Sequence, residues 1–302
     1  MCNERKKMLL VGDNPFHGIS HLSQERARVR GDRMAYPKYA ANLVTTSLEN
    51  GANGFMFSVS EMTLSILRII HETGRVKSPR LYAIVPYAFE YVRLATQIGT
   101  PGLAKTFAKQ IAISGNVRAI AMGLKGVIRM DPVALLKMYL YYEISRIKSS
   151  AGKQADLHSV LLHEVITDMA LALNLDWFFK SYVDFMLKLG IKPGFNTRNF
   201  VYLVNRFIEW RIDLRETIIA TPFNKKGFQM NPSRTECEQA LAKIPELNII
   251  AISILASGYL KPPEAIDYIA TLPNINGVAV GVSKEQHAHE TFNLLKDRLG
   301  EF

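Results

Sequence analysis

Ten residues near the beginning of the chain, GDNPFHGISH (12–21), hold an Asp, an Asn and two His directly after the apolar run 8–11. Carboxylate and imidazole groups exchange protons in acid/base catalysis, and together they can also bind a divalent metal ion. His17 and His21 are four residues apart, which suits two ligands on one helical turn, but Pro15 disfavours a helix there. Acid/base chemistry and metal binding therefore both stay open.

Other apolar runs along the chain also end in polar residues. If these runs are the parallel strands of one barrel, all of their ends lie at the same mouth, where barrel enzymes carry their catalytic groups. The polar residues that follow the successive runs are Asp13, Asn14 and His17; Ser58, Ser60 and Glu61; Tyr87; His163 and Glu164; Asn196, Thr197 and Arg198; Asn224, Lys225 and Lys226; Ser253 and Ser257; and Ser283 and Lys284.

His163 is the strongest acid/base candidate, because imidazole titrates near neutral pH and this residue ends an apolar run. Period-two counting places it on the same strand face as Ser159 and Leu161. A hydrogen-bonded core histidine is the structural alternative. If His163 is catalytic, its expected companions are Asp13, His17 and Glu61. The candidate ligands for a divalent metal are His17, His21, Glu61 and His163, although no compact metal motif such as H-E-x-x-H is present.

The segment GVSKEQ (281–286) predicts an anion site at a turn from strand to helix. Amide groups at a helix N-terminus attract anions, and barrels often bind phosphate after their seventh and eighth strands. Gly281, Ser283 and Lys284 are the candidate residues. The structural alternative is a Ser283 N-cap completed by Gln286 as a capping box.

Apolar runs and helical patterns alternate along the chain. The predicted strands show little alternation of polar and apolar residues, as expected for a parallel sheet covered on both faces. Eight such units predict an α/β fold, a (β/α)8 TIM barrel formed by one domain, 1–302. A doubly wound open sheet is the alternative, but it usually carries G-x-G-x-x-G after its first strand. The predicted strands are 8–11, 54–60, 80–87, 156–165, 191–196, 216–224, 248–258 and 277–283.

The segment 88–150 is longer than a strand-to-strand connection needs, and we expect a helical elaboration there. Asp131 and Pro132 predict the start of one of its helices. LLKMYLYYEISRIK (135–148) has aromatic, Met and basic residues at helical spacing. This pattern suits a helix packed on the barrel or in a contact between copies of the chain. A lid over the site and a membrane-surface helix are further alternatives.

Composition narrows the function classes. The chain has 302 residues, of which 48% are hydrophobic, and a net charge of +10. No apolar run is long enough to span a membrane, and the N-terminus lacks a signal-peptide pattern. Cys2 and Cys237 form no disulfide framework or zinc motif, which predicts the cytoplasm. Positive charge without a nucleic-acid motif argues against nucleic acid and favours a small anionic ligand.

From its fourth predicted strand onward, the chain resembles the aldo-keto reductases, a (β/α)8 family that uses NADPH. DLHSVLLHEV (156–165) is similar to their fourth strand, which ends in a catalytic His, and His163 stands at that position. The segments 193–200, 220–224, 252–260 and 277–295 are similar to later cofactor-binding parts. The resemblance implies Asn196 and Thr197 at the nicotinamide amide, Phe223 stacked on the ring, Ser253, Leu255 and Ser257 along the phosphates, and Ser283 with Lys284 near them. Gly281 and Asn224, from the same turns, join the predicted cofactor site.

The first half departs from that family. The second strand of the aldo-keto reductases carries an Asp and then a proton-donating Tyr, whereas GFMFSVSEM (54–62) in this chain has only Glu61 there. Their third strand brings a Lys, and LYAIVPY (81–87) has none. Four functions stay open: acid/base chemistry on a small anionic, phosphorylated or nucleotide-like ligand; a diverged NADP-dependent oxidoreductase; a metal-dependent hydrolase or lyase; and a non-catalytic binding barrel.

Overall fold

The computed structural model describes residues 7–17, 36–86, 131–244 and 246–299. Eight parallel strands close into a barrel in chain order, which confirms the predicted α/β barrel. The open sheet is excluded because β1 pairs with β8, with Leu10 opposite Ala279. The strands are β1 Met8–Gly12, β2 Gly54–Ser58, β3 Arg80–Val85, β4 Leu157–Leu162, β5 Lys192–Asn196, β6 Ile218–Pro222, β7 Ile249–Ile252 and β8 Ile275–Gly281.

Helices follow the strands and cover the outside of the barrel. They are α1 Pro37–Glu49, α2 Glu61–Thr73, α3 Pro132–Ala151, α4 Glu164–Ala172, α5 Asp176–Lys188, α6 Phe200–Glu209, α7 Arg234–Lys243, α8 Pro262–Ala270 and α9 Glu285–Leu299. Short 3-10 turns lie at Asn14–His17, Leu214–Glu216 and Ala256–Gly258. No helix in these parts of the chain is long and apolar enough to cross a membrane.

Local sequence signals explain several helix ends. Ser60 begins α2 with a reciprocal capping box, in which its Oγ accepts from the Thr63 amide at 3.2 Å and Thr63 Oγ1 accepts from the Ser60 amide at 3.0 Å. Gly74 ends this helix in the left-handed region at φ 56°. Asp131 caps α3 by accepting from two amides, as its sequence predicts. Such a cap stabilises a helix by about 1 kcal/mol.

The core has two layers, because successive residues of a strand point to opposite faces. The inner layer fills the barrel with side chains that include Met8, Leu10, Met56, Tyr82, Ile84, Leu161, Ile218, Ala220 and Ile250. The outer layer lies between sheet and helices. There, the Phe179 ring packs against Phe195, Phe207 and Trp210 at centroid distances of 5.3–5.7 Å. Burial on both faces explains why the strands read as continuous apolar runs.

Two predicted boundaries differ from the structure. The fourth strand ends at Leu162 rather than at 165, because His163 accepts a hydrogen bond from the Val165 amide and starts α4. The seventh strand ends at Ile252, since Ser253 has a φ of 53°, which breaks the extended backbone. Within the predicted elaboration 88–150, α3 is helical as expected, and 88–130 lies outside the described residues. A contact between copies through this segment stays a prediction.

Candidate active site at the carboxyl ends of the strands

His163 lies at the carboxyl end of β4 and is 8% exposed. Its backbone amide donates to the Val85 carbonyl at 2.8 Å, and its Nδ1 accepts from the Val165 amide at 3.2 Å. Because a backbone amide can only donate, Nδ1 holds the lone pair, and the neutral ring carries its hydrogen on Nε2. The local fold therefore selects one tautomer, with the Nε2–H group as a donor.

Burial lowers the pKa of His163 below its ordinary value of 6.5, and the positive charge of Arg198 lowers it further. The negative charges of Glu164, Asp13 and Asp168 act in the opposite direction. These four groups come from the loops and helices after β1, β4 and β5. Since burial is the largest effect, the ring is neutral at neutral pH and acts as a hydrogen-bond donor.

Asp13 and His17 form a pair at the end of β1. The carboxylate Oδ2 accepts from His17 Nε2 at 2.9 Å and from the Ser58 amide at 2.6 Å. A carboxylate only accepts, so Nε2 of His17 carries a hydrogen. Asp13 thus joins the ends of two neighbouring strands and orients the His17 ring. The structure brings these two predicted residues together, and the charge of Asp13 reaches His163.

The loop after β1 also covers the end of β8. A Cβ at Gly281 would come within 2.6 Å of Pro15 Cδ, so only a glycine admits the loop there. Ser283 and Lys284 lie just before α9; the Ser283 carbonyl accepts from Tyr39 at 3.4 Å, and Lys284 is exposed. The predicted capping partner Gln286 instead donates to Glu290 at 2.8 Å, because that side chain lies one helical turn away.

Two acids of α4 hold the loop after β5. Asp168 accepts from Thr197 Oγ1 at 2.5 Å and from the Arg198 amide at 3.3 Å. Glu164 accepts from Arg198 Nη2 at 2.5 Å. Burial raises the pKa of Asp168 above its ordinary value, and its hydrogen bonds oppose that shift. The strand-end pattern did not indicate Asp168, because this residue lies within a helix. The available signal was that two acids four residues apart, Glu164 and Asp168, precede two polar residues after β5.

Two buried polar atoms at this mouth have no hydrogen-bond partner in the described parts of the chain: Asn196 Oδ1 and Ser257 Oγ. Asn196 ends β5 and is 7% exposed. Ser257 belongs to a strained loop in which Ser253, Ala256 and Ser257 have φ values of 53°, 45° and 60°. Left-handed backbone at such residues costs about 1–3 kcal/mol each and clusters at ligand sites.

Three other predicted site residues have partners of their own in the described parts of the chain. Phe223 is fully buried, and its ring packs edge-on against Phe200 at 5.6 Å, between the sheet and α6. Asn224 is held at both ends of its amide by the Phe228 backbone, at 2.9 and 2.8 Å. Glu61 is 78% exposed and binds Arg146 of α3 at 2.5 Å.

The sequence-based expectation of a metal ion concerns His17, His21, Glu61 and His163. Across residues 7–17, 36–86, 131–244 and 246–299, no three His, Cys, Asp or Glu side chains are grouped as ligands. The candidate His21 lies outside the described residues, and Glu61 is turned toward α3. Metal binding stays a prediction that elemental analysis of the purified protein tests.

The closed barrel of eight parallel strands with helices on its outside is the fold of a TIM barrel. Two solved structures, each called a "putative aldo-keto reductase" from Pseudomonas aeruginosa, are similar to it. The first is 13% identical with a TM-score of 0.56, and the second is 12% identical with a TM-score of 0.57. Each alignment covers 97% of this chain and 91% of the other. At this identity the likeness concerns the fold.

The sequence comparisons gave no further relatives: no protein-family profile matches the chain, and no curated protein matches it.

Proposed function

We propose that this barrel is a diverged nicotinamide-dependent oxidoreductase that acts on a small anionic carbonyl compound at the carboxyl ends of its strands. The unpartnered buried atoms Asn196 Oδ1 and Ser257 Oγ carry the proposal. An unpaired buried polar group costs about 1–3 kcal/mol, so a ligand that pairs it gains affinity. Both atoms belong to residues at which the sequence resemblance expects the cofactor.

These two atoms fit NADPH. The Asn196 oxygen would accept from the nicotinamide carboxamide, and the Ser257 hydroxyl would donate to a phosphate. Phe223 and Asn224 do not contribute, because packing and backbone hydrogen bonds occupy them. Bound NADPH supplies a hydride; the protein must bind the substrate, polarise its carbonyl group and deliver a proton to the oxygen.

His163 polarises the substrate in this proposal. Its neutral ring presents Nε2–H as a donor, because the Val165 amide occupies Nδ1 and burial lowers the pKa. A fixed donor aimed at a developing negative charge needs no reorganisation during the reaction. The Asp13–His17 pair would supply the proton in place of the missing tyrosine.

Titration with NADPH, followed by cofactor fluorescence, tests the proposal. We expect saturable binding by the unaltered chain and about tenfold weaker binding by Asn196→Ala. Asn248→Ala is the matched control, because Asn248 bonds the backbone at Arg215 and Thr217 at the opposite end of the barrel. An unaltered chain that shows no fluorescence change at millimolar NADPH would rule out the oxidoreductase.

A second candidate is a cofactor-independent enzyme that transfers protons on the same small anionic substrates, in lyase or hydrolase chemistry. Its supporting observation is that β2 and β3 contain no Asp or Lys, whereas the loop after β1 brings the Asp13–His17 pair. This candidate predicts that the enzyme exchanges substrate C–H protons with deuterium in D2O without NADPH. His163→Gln should abolish the exchange, which proton NMR detects.

A further inference from the structure

Arg198 is the most tightly held cation at the mouth among the described residues. Glu164 accepts from its Nη2 at 2.5 Å, and Asp168 accepts from its backbone amide at 3.3 Å. The two acids lie four residues apart, on one face of α4. Both the main chain and the side chain of Arg198 are therefore fixed before any ligand arrives.

This arginine lies near His163, because Glu164, which accepts from it, directly follows that histidine in the chain. Its positive charge acts on His163, and it follows the unpartnered Asn196 by two residues. Its side chain is 34% exposed, so a small ligand can reach it. The carboxylates of Asp13, Glu164 and Asp168 also act on this histidine, and Arg198 is the cation in this group and thus the one that attracts an anion.

We propose that Arg198 binds the substrate through an oxyanion group, a carboxylate or a phosphate, next to the carbonyl that His163 polarises. A guanidinium has five N–H donors in a planar fork that matches the oxygens of either group. Glu164 uses Nη2 and sets the orientation of the fork. This inference rests on the proposed function and narrows its substrates to small carbonyl compounds whose anionic group is adjacent to the reacting carbon.

Anion binding without cofactor is the direct test, measured by calorimetry with malonate for a carboxylate and inorganic phosphate for a phosphate. We expect the unaltered chain to bind one of the two, and Arg198→Met to lose about tenfold or more in affinity. Arg198→Lys keeps the charge but loses the planar fork of donors, so its anion affinity should lie between those of the unaltered chain and Arg198→Met. Circular dichroism of both variants checks that the fold is retained.

Arg206→Met is the matched control, since Arg206 also pairs with a carboxylate, Glu209, at 2.7 Å but on α6 away from the mouth. It should bind anions like the unaltered chain. Equal affinity in Arg198→Met and the unaltered chain overturns the inference, and so does an unaltered chain that binds neither anion.

A substrate comparison separates an anion-binding role from a purely structural one. We expect Arg198→Met to lower kcat/KM for a 2-oxo carboxylate while leaving that for its neutral methyl ester nearly unchanged. A structural role would lower both equally. Failure of the two proposals is also distinguishable: anion binding through Arg198 without NADPH binding rejects only the oxidoreductase, whereas NADPH binding with an unaltered anion affinity in Arg198→Met rejects only this inference.

Discussion

The two ring nitrogens of His163 have different tasks. Nδ1 accepts from the Val165 amide at the start of α4, and Nε2 carries the ring hydrogen. His17 is held through the other ring nitrogen, because Asp13 accepts from its Nε2. Neighbouring groups therefore orient the two histidines of this mouth through different ring nitrogens.

His163 should make the stability of the protein depend on pH. Burial lowers its pKa in the folded state, so the unfolded chain binds its proton first as the pH falls. The free energy of unfolding then decreases below about pH 6.5, the ordinary histidine value. His163→Asn keeps an N-cap acceptor but does not titrate, so its stability should fall less between pH 7.5 and pH 5. Urea unfolding of both proteins at these pH values checks this, and identical losses would contradict it.

The sequence located part of the site at this scale. His163, Asp13 and His17 were predicted as neighbours, because parallel strands of a barrel all end at one mouth. The positions of Glu61, Phe223 and Asn224 could not be predicted, since a strand-end position does not reveal which way a side chain turns or which partner holds it. Glu61 comes shortly after the strand that Ser58 ends, yet its side chain is exposed and accepts a hydrogen bond from Arg146 of α3.

At the scale of elements, the site depends on the contact between α4 and the loop after β5. Asp168 ties that loop to the helix that His163 begins, and Asn196 precedes the tied residues. One contact therefore sets the relative position of a strand-end imidazole and a strand-end amide. The sequence pattern predicted neither the contact nor the helix α4. Val165 in the first turn of α4 extends the apolar pattern of β4, so the predicted strand 156–165 includes the beginning of this helix.

Thr197→Val should test this contact, because valine keeps the shape of threonine but removes the hydroxyl that Asp168 accepts at 2.5 Å. The half-buried carboxylate loses a donor, which we expect to lower the free energy of unfolding by about 1–2 kcal/mol in urea titration. The control Thr271→Val removes an exposed hydroxyl that donates to the Tyr268 carbonyl, and it should change the free energy of unfolding by less than about 0.5 kcal/mol. Equal effects of the two substitutions would contradict the prediction.

At the scale of the whole molecule, the alternation of apolar runs and helices was sufficient to predict eight strands in a closed barrel. Two solved structures at 12–13% identity share that fold, so the pattern survives when nearly all residues differ. What local patterns could not indicate is the close approach at the seam between the first and last strands. There, a Cβ at Gly277 would lie 2.6 Å from Met8 Cβ and 2.7 Å from its carbonyl oxygen.

Gly277→Ala should therefore destabilise the closed barrel, because the added methyl group meets β1 backbone that cannot move without opening the seam. We expect a loss of about 1–3 kcal/mol and a lower Tm in calorimetry. Gly12→Ala lies on the same seam, but its Cβ would stay 3.4 Å from the nearest atom, so it should cost clearly less. If Gly12→Ala proves the more damaging of the two, the close approach at this seam does not lie at Gly277.

The final position of the loop after β1 depends on the order in which the parts of the barrel are made and docked. Pro15 rests on Gly281 of the last strand, and Asp13 bonds the end of the second. This loop precedes the other strand connections of the barrel in the chain, yet it reaches its final position only when the last strand has docked. A chain interrupted before β8 lacks the surface on which Pro15 packs, and we expect it to lack the ordered Asp13–His17 pair.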